Sequence, residues 1–252
     1  ADIARPTVAL VNNAQREHLE FMQTVEAVAR ENGSVFASLP RDGVAVFPAE
    51  DEYTALWREL AGSRRVLTFA ESAGDVQCAK AEWRGAGWQV QIHTPQGAFD
   101  TELHIAGRHN VTNALAATAC AVAAGVPVFA IAEGLAQFEP VKGRSRAVVL
   151  PFGAARSITL VDDSYNANPD SVRAAIDVLS ALPRPQLLVL GDMGEVGDQG
   201  PQFHAEAGAY ARERGIDRVF ALGAASIHAA SACGSAAQHF EDMASLLGAV
   251  QA

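Results

Sequence analysis

Short β-branched runs alternate with helical stretches along most of this chain, and that alternation constrains the fold more than any other feature. Residues 7–11 form an apolar run that suits a buried parallel strand and ends in Asn12-Asn13. Residues 15–31 follow with helical spacing, placing Leu19, Met22, Val25 and Ala29 on one face. A strand at 43–47, a short helix at 53–60 and a strand at 65–69 continue the rhythm. The expected architecture is α/β, a parallel sheet covered by helices.

The pattern changes near residue 75. Residues 76–83, 87–93 and 99–105 alternate in polarity between turn signals at 84–87 and 94–97, which predicts a small antiparallel patch. Helices return at 110–124 and 128–138. Residues 139–146 are polar, contain Pro140 and Gly143 and carry three cations, so the domain linker is expected there. Two domains follow from this, 1–145 and 146–252. The second restarts the alternation. Strands are expected at 158–161, 186–190, 218–222 and, weakly, 238–240, with helices at 171–182, 202–214, 224–232 and 245–252. Residues 158–161 read as a buried strand, and the whole as a Rossmann-like unit.

The formal net charge of −10 argues against a nucleic-acid backbone as partner. Three widely spaced cysteines without a C-x-x-C pair fit a reducing, cytoplasmic setting and offer no metal framework. Residues 114–132 are the best candidate for a membrane span, but Gly125 and Pro127 interrupt them, so no membrane insertion is expected. The start at Ala1, inside a strand approach, reads as that of an excised fragment.

Polar residues gather where strands end or helices begin. Gly107-Arg108-His109-Asn110, followed by Asn113, opens an Ala-rich helix. Asn110 suits a helix cap, and its amide also suits a base edge, since it both donates and accepts. Asp162-Asp163 can hold a ribose diol or a metal, or simply favour a helix N-terminus. Tyr165, Asn166 and Asn168 follow. Arg144 in the linker is a solvated charge or a phosphate ligand. His18 is a surface residue or a ligand. Residues 191–197, Gly-Asp-Met-Gly-Glu-Val-Gly, are a glycine-rich turn after a strand.

Together, G-R-H-N-x-x-N-A, D-D-S-Y-N-A-N-P, N-N-x-x-x-x-H-L-E and the 191–197 turn, which follows G-D-M-x-E-L-G with Val196 at the Leu position, resemble the motifs of the Mur ligases, over nearly the whole chain. The last of them resembles the branch that adds D-Ala-D-Ala to UDP-N-acetylmuramoyl-tripeptide. The resemblance implies a partial central ATPase domain, truncated at its N-terminus, followed by a C-terminally truncated ligase domain. It implies an ATP- and Mg²⁺-dependent amide ligase that works as a monomer through an acyl phosphate. His109, Asn110 and Asn113 would line the adenine pocket, Asp163 would hold the ribose, and Arg144 would reach the phosphates. His18 would be a metal ligand, and Tyr165, Asn166 and Asn168 would face substrate.

Two departures stand against that pattern. The loop G-x-x-x-x-G-K-[ST] is absent, since the lysines are Lys80 and Lys142 only. Asn32 also stands where the family usually has a carbamylated lysine. The chain by itself is therefore expected not to ligate. A folylpolyglutamate synthase-like ligase and a non-catalytic nucleotide-binding module remain as alternatives.

Overall fold

The computed structural model describes residues 3–16, 19–152 and 156–251. Its first sheet has six strands in the order β1 (Val8–Leu10), β2 (Val44–Pro48), β3 (Arg65–Ala70), β4 (Val76–Trp83), β5 (Trp88–Thr94) and β6 (Gly97–Leu103). β1 to β4 pair in parallel, with Val8 opposite Val44 and Val46 opposite Leu67. β4, β5 and β6 form the expected antiparallel patch. β2 is buried on both faces (Val44, Ala45, Val46 and Phe47), which explains why its sequence shows a continuous apolar run and no alternation.

One face of the sheet is covered by α4 (His109–Ala123) and α5 (Val128–Ala136), through Leu67, Val90, Ile92, Val111, Leu115 and Ile131. The other is covered by α2 (Val25–Gly33) and α3 (Thr54–Ala61), through Ala29, Phe36, Phe47 and Trp57. The Trp57 indole N–H donates to the carbonyl of Ala29 at 2.9 Å, satisfying the polar end of a fully buried ring. The helix expected at 15–31 is two helices, α1 (Leu19–Met22) and α2. Gln23 between them takes a φ of 65°, and the Thr24 hydroxyl accepts from Ala27 N–H to cap α2.

Residues 139–145 lie outside helix and strand, with a turn at 142–143, and the chain then enters a hairpin of β7 (Arg146–Phe152) and β8 (Arg156–Asp162). The buried strand expected at 158–161 is corrected here. Ile158 is 46% and Leu160 51% exposed, because among the described residues β8 pairs with β7 alone in a two-stranded sheet. The remaining strands, β9 (Leu187–Leu190), β10 (Arg218–Leu222) and β11 (Ala237–Phe240), form a parallel sheet in the order β11-β10-β9. Helices α6 (Pro169–Ser180), α7 (Gly200–Glu213), α8 (Ile227–Cys233) and α9 (Met243–Gln251) accompany it.

By its contacts the chain divides into two compact units, one of residues 1–15 and 24–162, the other of residues 16–23 and 163–252. The second has its own core of Val172, Ile176, Leu190, Phe203, Ala207 and Val219. In it α7 crosses α8 so closely that a Cβ on Gly208 would stand 2.0 Å from the carbonyl oxygen of Ala229. Among the described residues no helix is long and apolar enough to cross a membrane.

Candidate functional site

Parallel pairing of β1, β2 and β3 puts their carboxyl ends on one edge of the first unit, where open α/β sheets bind ligands. Asn12 and Asn13 follow β1, Glu50 follows β2, and Glu71 and Ser72 follow β3. The Ser72 hydroxyl donates to Glu50 at 2.6 Å. The Arg108 guanidinium makes a forked pair with Glu71 and lies 5.6 Å above the Trp88 ring, so it anchors the start of α4 from two sides.

A chain of three asparagine amides runs along this edge. Asn110 Nδ2 donates to the carbonyl of Ala106 at 2.6 Å and lies 3.1 Å from His109 Nε2. Asn113 Nδ2 donates to Asn110 Oδ1 at 2.8 Å, and Asn12 Nδ2 donates to Asn113 Oδ1 at 2.9 Å. Three of the expected site residues, His109, Asn110 and Asn113, are thus brought together. Asn110 is buried and does not cap the helix, because its side chain turns back to Ala106. Asn113 is exposed, and its bonds to Asn110 and Asn12 leave one N–H and one lone pair of its amide for a ligand.

Arg144 belongs to the same unit. Its turn is tied to the base of the asparagine chain, because Ala106 N–H donates to Ser145 O at 3.0 Å. Gly143, with a φ of 79°, donates its N–H to Asp162 Oδ2 at 3.1 Å. The first aspartate of the pair therefore braces the Arg144 turn, a role the sequence did not suggest.

Asp163, Tyr165, Asn166 and Asn168 lie in the second unit. Tyr165 is 69% exposed, and Asn166 is exposed. Asn168 is the N-cap of α6, accepting from Asp170 N–H and Ser171 N–H while Ser171 returns the bond to its backbone N–H. His18 lies outside the described residues. Arg16, near it in sequence, pairs with Asp170 at 2.7 Å and Glu206 at 2.9 Å, with its guanidinium 5.4 Å from the Phe203 ring centre. Burial works against the charge on Asp170, but the hydrogen bonds from Arg16 prevail and hold its carboxyl below the usual carboxylate range.

The Gly191–Gly197 turn follows β9 in the second unit. The Asp192 carboxylate accepts N–H bonds from Ala225 and Ser226, just beyond β10, at 3.1 and 2.7 Å. A Cβ on Gly223 would stand 2.5 Å from that carboxylate. The turn is also held by His204, a fully buried residue for which the sequence offered no signal beyond a histidine in an Ala-rich helix. Burial pushes the thiols of Cys78, Cys120 and Cys233 up, so none is poised as a thiolate nucleophile.

The family model "Mur ligase middle domain" matches residues 1–121, and "Mur ligase, glutamate ligase domain" matches residues 146–252. UDP-N-acetylmuramoyl-tripeptide–D-alanyl-D-alanine ligase of Escherichia coli is 37% identical over 97% of this chain and 54% of its own length. The crystal structure of MurF from Acinetobacter baumannii is 34% identical with a TM-score of 0.89, over 99% of this chain and 55% of that one. The MurF ligase of Thermotoga maritima, solved in complex with ADP, shares the fold with a TM-score of 0.82 at 22% identity, over 99% of this chain and 56% of that one. The chain spans about half the length of the curated relatives it matches, 54% and 51% for the Escherichia coli and Haemophilus influenzae ligases.

Proposed function

Because the chain belongs to the Mur ligase family, we propose that it carries the nucleotide-reading part and much of the C-terminal ligase part of an ATP-dependent enzyme that joins D-Ala-D-Ala to UDP-N-acetylmuramoyl-tripeptide. The observation that carries this reading is the joining, in one unit, of the asparagine chain and the Arg144 turn through Ala106 and Ser145. Asn113 keeps one donor and one acceptor, the two groups an asparagine uses against adenine N7 and N6. The Arg144 fork suits phosphate oxygens and keeps its charge. Asp163 is the group for the ribose, and Tyr165, Asn166 and Asn168 follow it toward substrate.

In the whole enzyme a substrate carboxylate oxygen attacks the γ-phosphorus and ADP leaves. The dipeptide amine then attacks the acyl carbon, the C–O bond to phosphate breaks, and the amine gives up a proton. Cations positioned for the developing charge contribute most to such transfer. No group of three or more His, Cys, Asp or Glu among the described residues is placed to hold a metal. Asn32, at the family's carbamylated position, instead donates to the carbonyl of Asn13 at 3.3 Å.

Likeness to the dipeptide-adding ligases supports this reading over a folylpolyglutamate synthase-like one. Calorimetric titration of ADP into the 252-residue chain tests it. Asn113→Ala and Asp163→Ala are each expected to weaken binding, and equal affinity in all three proteins would overturn it. We further propose that the chain alone binds nucleotide without ligating, because its lysines, Lys80 and Lys142, stand in no phosphate-binding loop. ADP release that depends on added D-Ala-D-Ala would refute that.

A further inference from the structure

We infer that Asn12, at the end of β1, is a positioning residue that sets which way the base-reading amides point. The inference rests on the nucleotide reading above.

The direction of the asparagine chain is dictated at its inner end. The carbonyl of Ala106 can only accept, so the group 2.6 Å from it must be Nδ2 of Asn110. Asn110 Oδ1 is then an acceptor, which makes the atom of Asn113 facing it Nδ2. Asn113 Oδ1 is in turn an acceptor, and only the Nδ2 of Asn12 can meet it. Each amide orientation follows from the one before, and Asn12 closes the sequence from the opposite side of Asn113. With both neighbours in place, Asn113 presents its remaining N–H and lone pair in one fixed order. Without Asn12, only Asn110 restrains it, and rotation about its side-chain bonds is freer.

The placement of Asn12 opposes stability. Its Oδ1 is buried and finds no hydrogen-bond partner among the described residues. A buried acceptor left unpaired costs free energy, and such groups in folded proteins call for an explanation. Stability supplies none. Asn113 is exposed, so water could replace the bond from Asn12 at little cost, and a small apolar residue at position 12 would remove the orphaned oxygen altogether. Asparagine at this position is explained by the bond it donates.

The test compares ADP with inosine diphosphate, which has an acceptor oxygen where ADP has the N6 amine. Their ratio of affinities reports amide orientation at Asn113 and cancels effects on the phosphates. The unaltered chain is expected to favour ADP by about tenfold, the discrimination typical of one bidentate asparagine contact. Asn12→Ala is expected to bring the two affinities close together while leaving the thermal midpoint unchanged or raised. Asn12→Asp keeps the size of the side chain but cannot donate to Asn113, so it is expected to lose the same preference, whereas a role in packing alone would preserve it. Retained ADP preference in both variants or a lowered midpoint in Asn12→Ala would overturn the inference alone, whereas equal binding of the two nucleotides by the unaltered chain would overturn it together with the assignment of Asn113 to the adenine edge. Failure of the unaltered chain to bind either nucleotide would overturn the nucleotide reading, and this inference with it.

Discussion

The backbone N–H of Met193 donates to Nε2 of His204 at 2.9 Å, across a fully buried imidazole. The other ring nitrogen, Nδ1, lies 2.7 Å from the carbonyl of Gly200. A backbone N–H can only donate and a carbonyl can only accept, so the ring is neutral with its proton on Nδ1. One histidine thereby ties the start of α7 to the Gly191–Gly197 turn, and the turn in turn holds the loop after β10 through Asp192.

Replacing His204 with phenylalanine keeps the apolar volume but leaves the Met193 N–H buried without an acceptor. The expected loss is about 1–3 kcal/mol in urea unfolding. Loosening of the turn is expected to show as faster amide exchange at residues 192–194, and unchanged exchange there would refute the tie.

The Arg16–Asp170 pair predicts a pH dependence of stability. Its side chains are 28% and 26% exposed, and Asp170 titrates below its ordinary range. A carboxyl depressed in the folded state contributes stability that is present above its unfolded value of about 3.9 and is lost as pH falls through the folded value. Asp170→Asn is expected to cost about 1.5–3 kcal/mol near neutrality. It is also expected to flatten the acid limb of the thermal midpoint against pH, and parallel limbs in the two proteins would contradict this.

Two glycines in helices predict opposite outcomes. Gly208→Ala drives a methyl against the Ala229 carbonyl of the crossing helix and is expected to destabilise by about 1–3 kcal/mol. Gly134→Ala in α5 meets nothing within 4 Å and is expected to stabilise by roughly 0.5–1 kcal/mol. Denaturant midpoints of the two variants, measured side by side, decide both.

Arg144→Ala is expected to weaken ATP binding about tenfold, as loss of a charged hydrogen bond does, while leaving the preference for ADP over inosine diphosphate intact. A changed base preference with unchanged ATP affinity would place Arg144 at the base end of the ligand.

Most of the strand and helix order follows from local pattern. The buried runs of β2 and β3, the polarity alternation of β4 to β6 and the Ala-rich α4 declare themselves because periodicity needs only near neighbours. The break at Gln23 escaped that reading, because the apolar face continues across it while the backbone turns. β8 escaped it for the reverse reason. Its composition matches a buried strand, but burial depends on what covers a strand, and among the described residues β8 pairs only with β7.

The same division holds for the candidate site. His109, Asn110, Asn113 and Arg144 stand in short local motifs, and the resemblance of those motifs to the Mur ligases singled them out as chemistry-bearing. Only the tertiary structure joined Asn12 to Asn113 across 101 positions, closed the Arg144 turn onto Asp162, and buried His204 between a helix and a turn. Residue type states which bonds a side chain can form, and spacing states which neighbours it meets along an element. Which distant partner completes the bond depends on how the strands register in the sheet and where the helices lie on it, and that geometry exists only once the chain has folded.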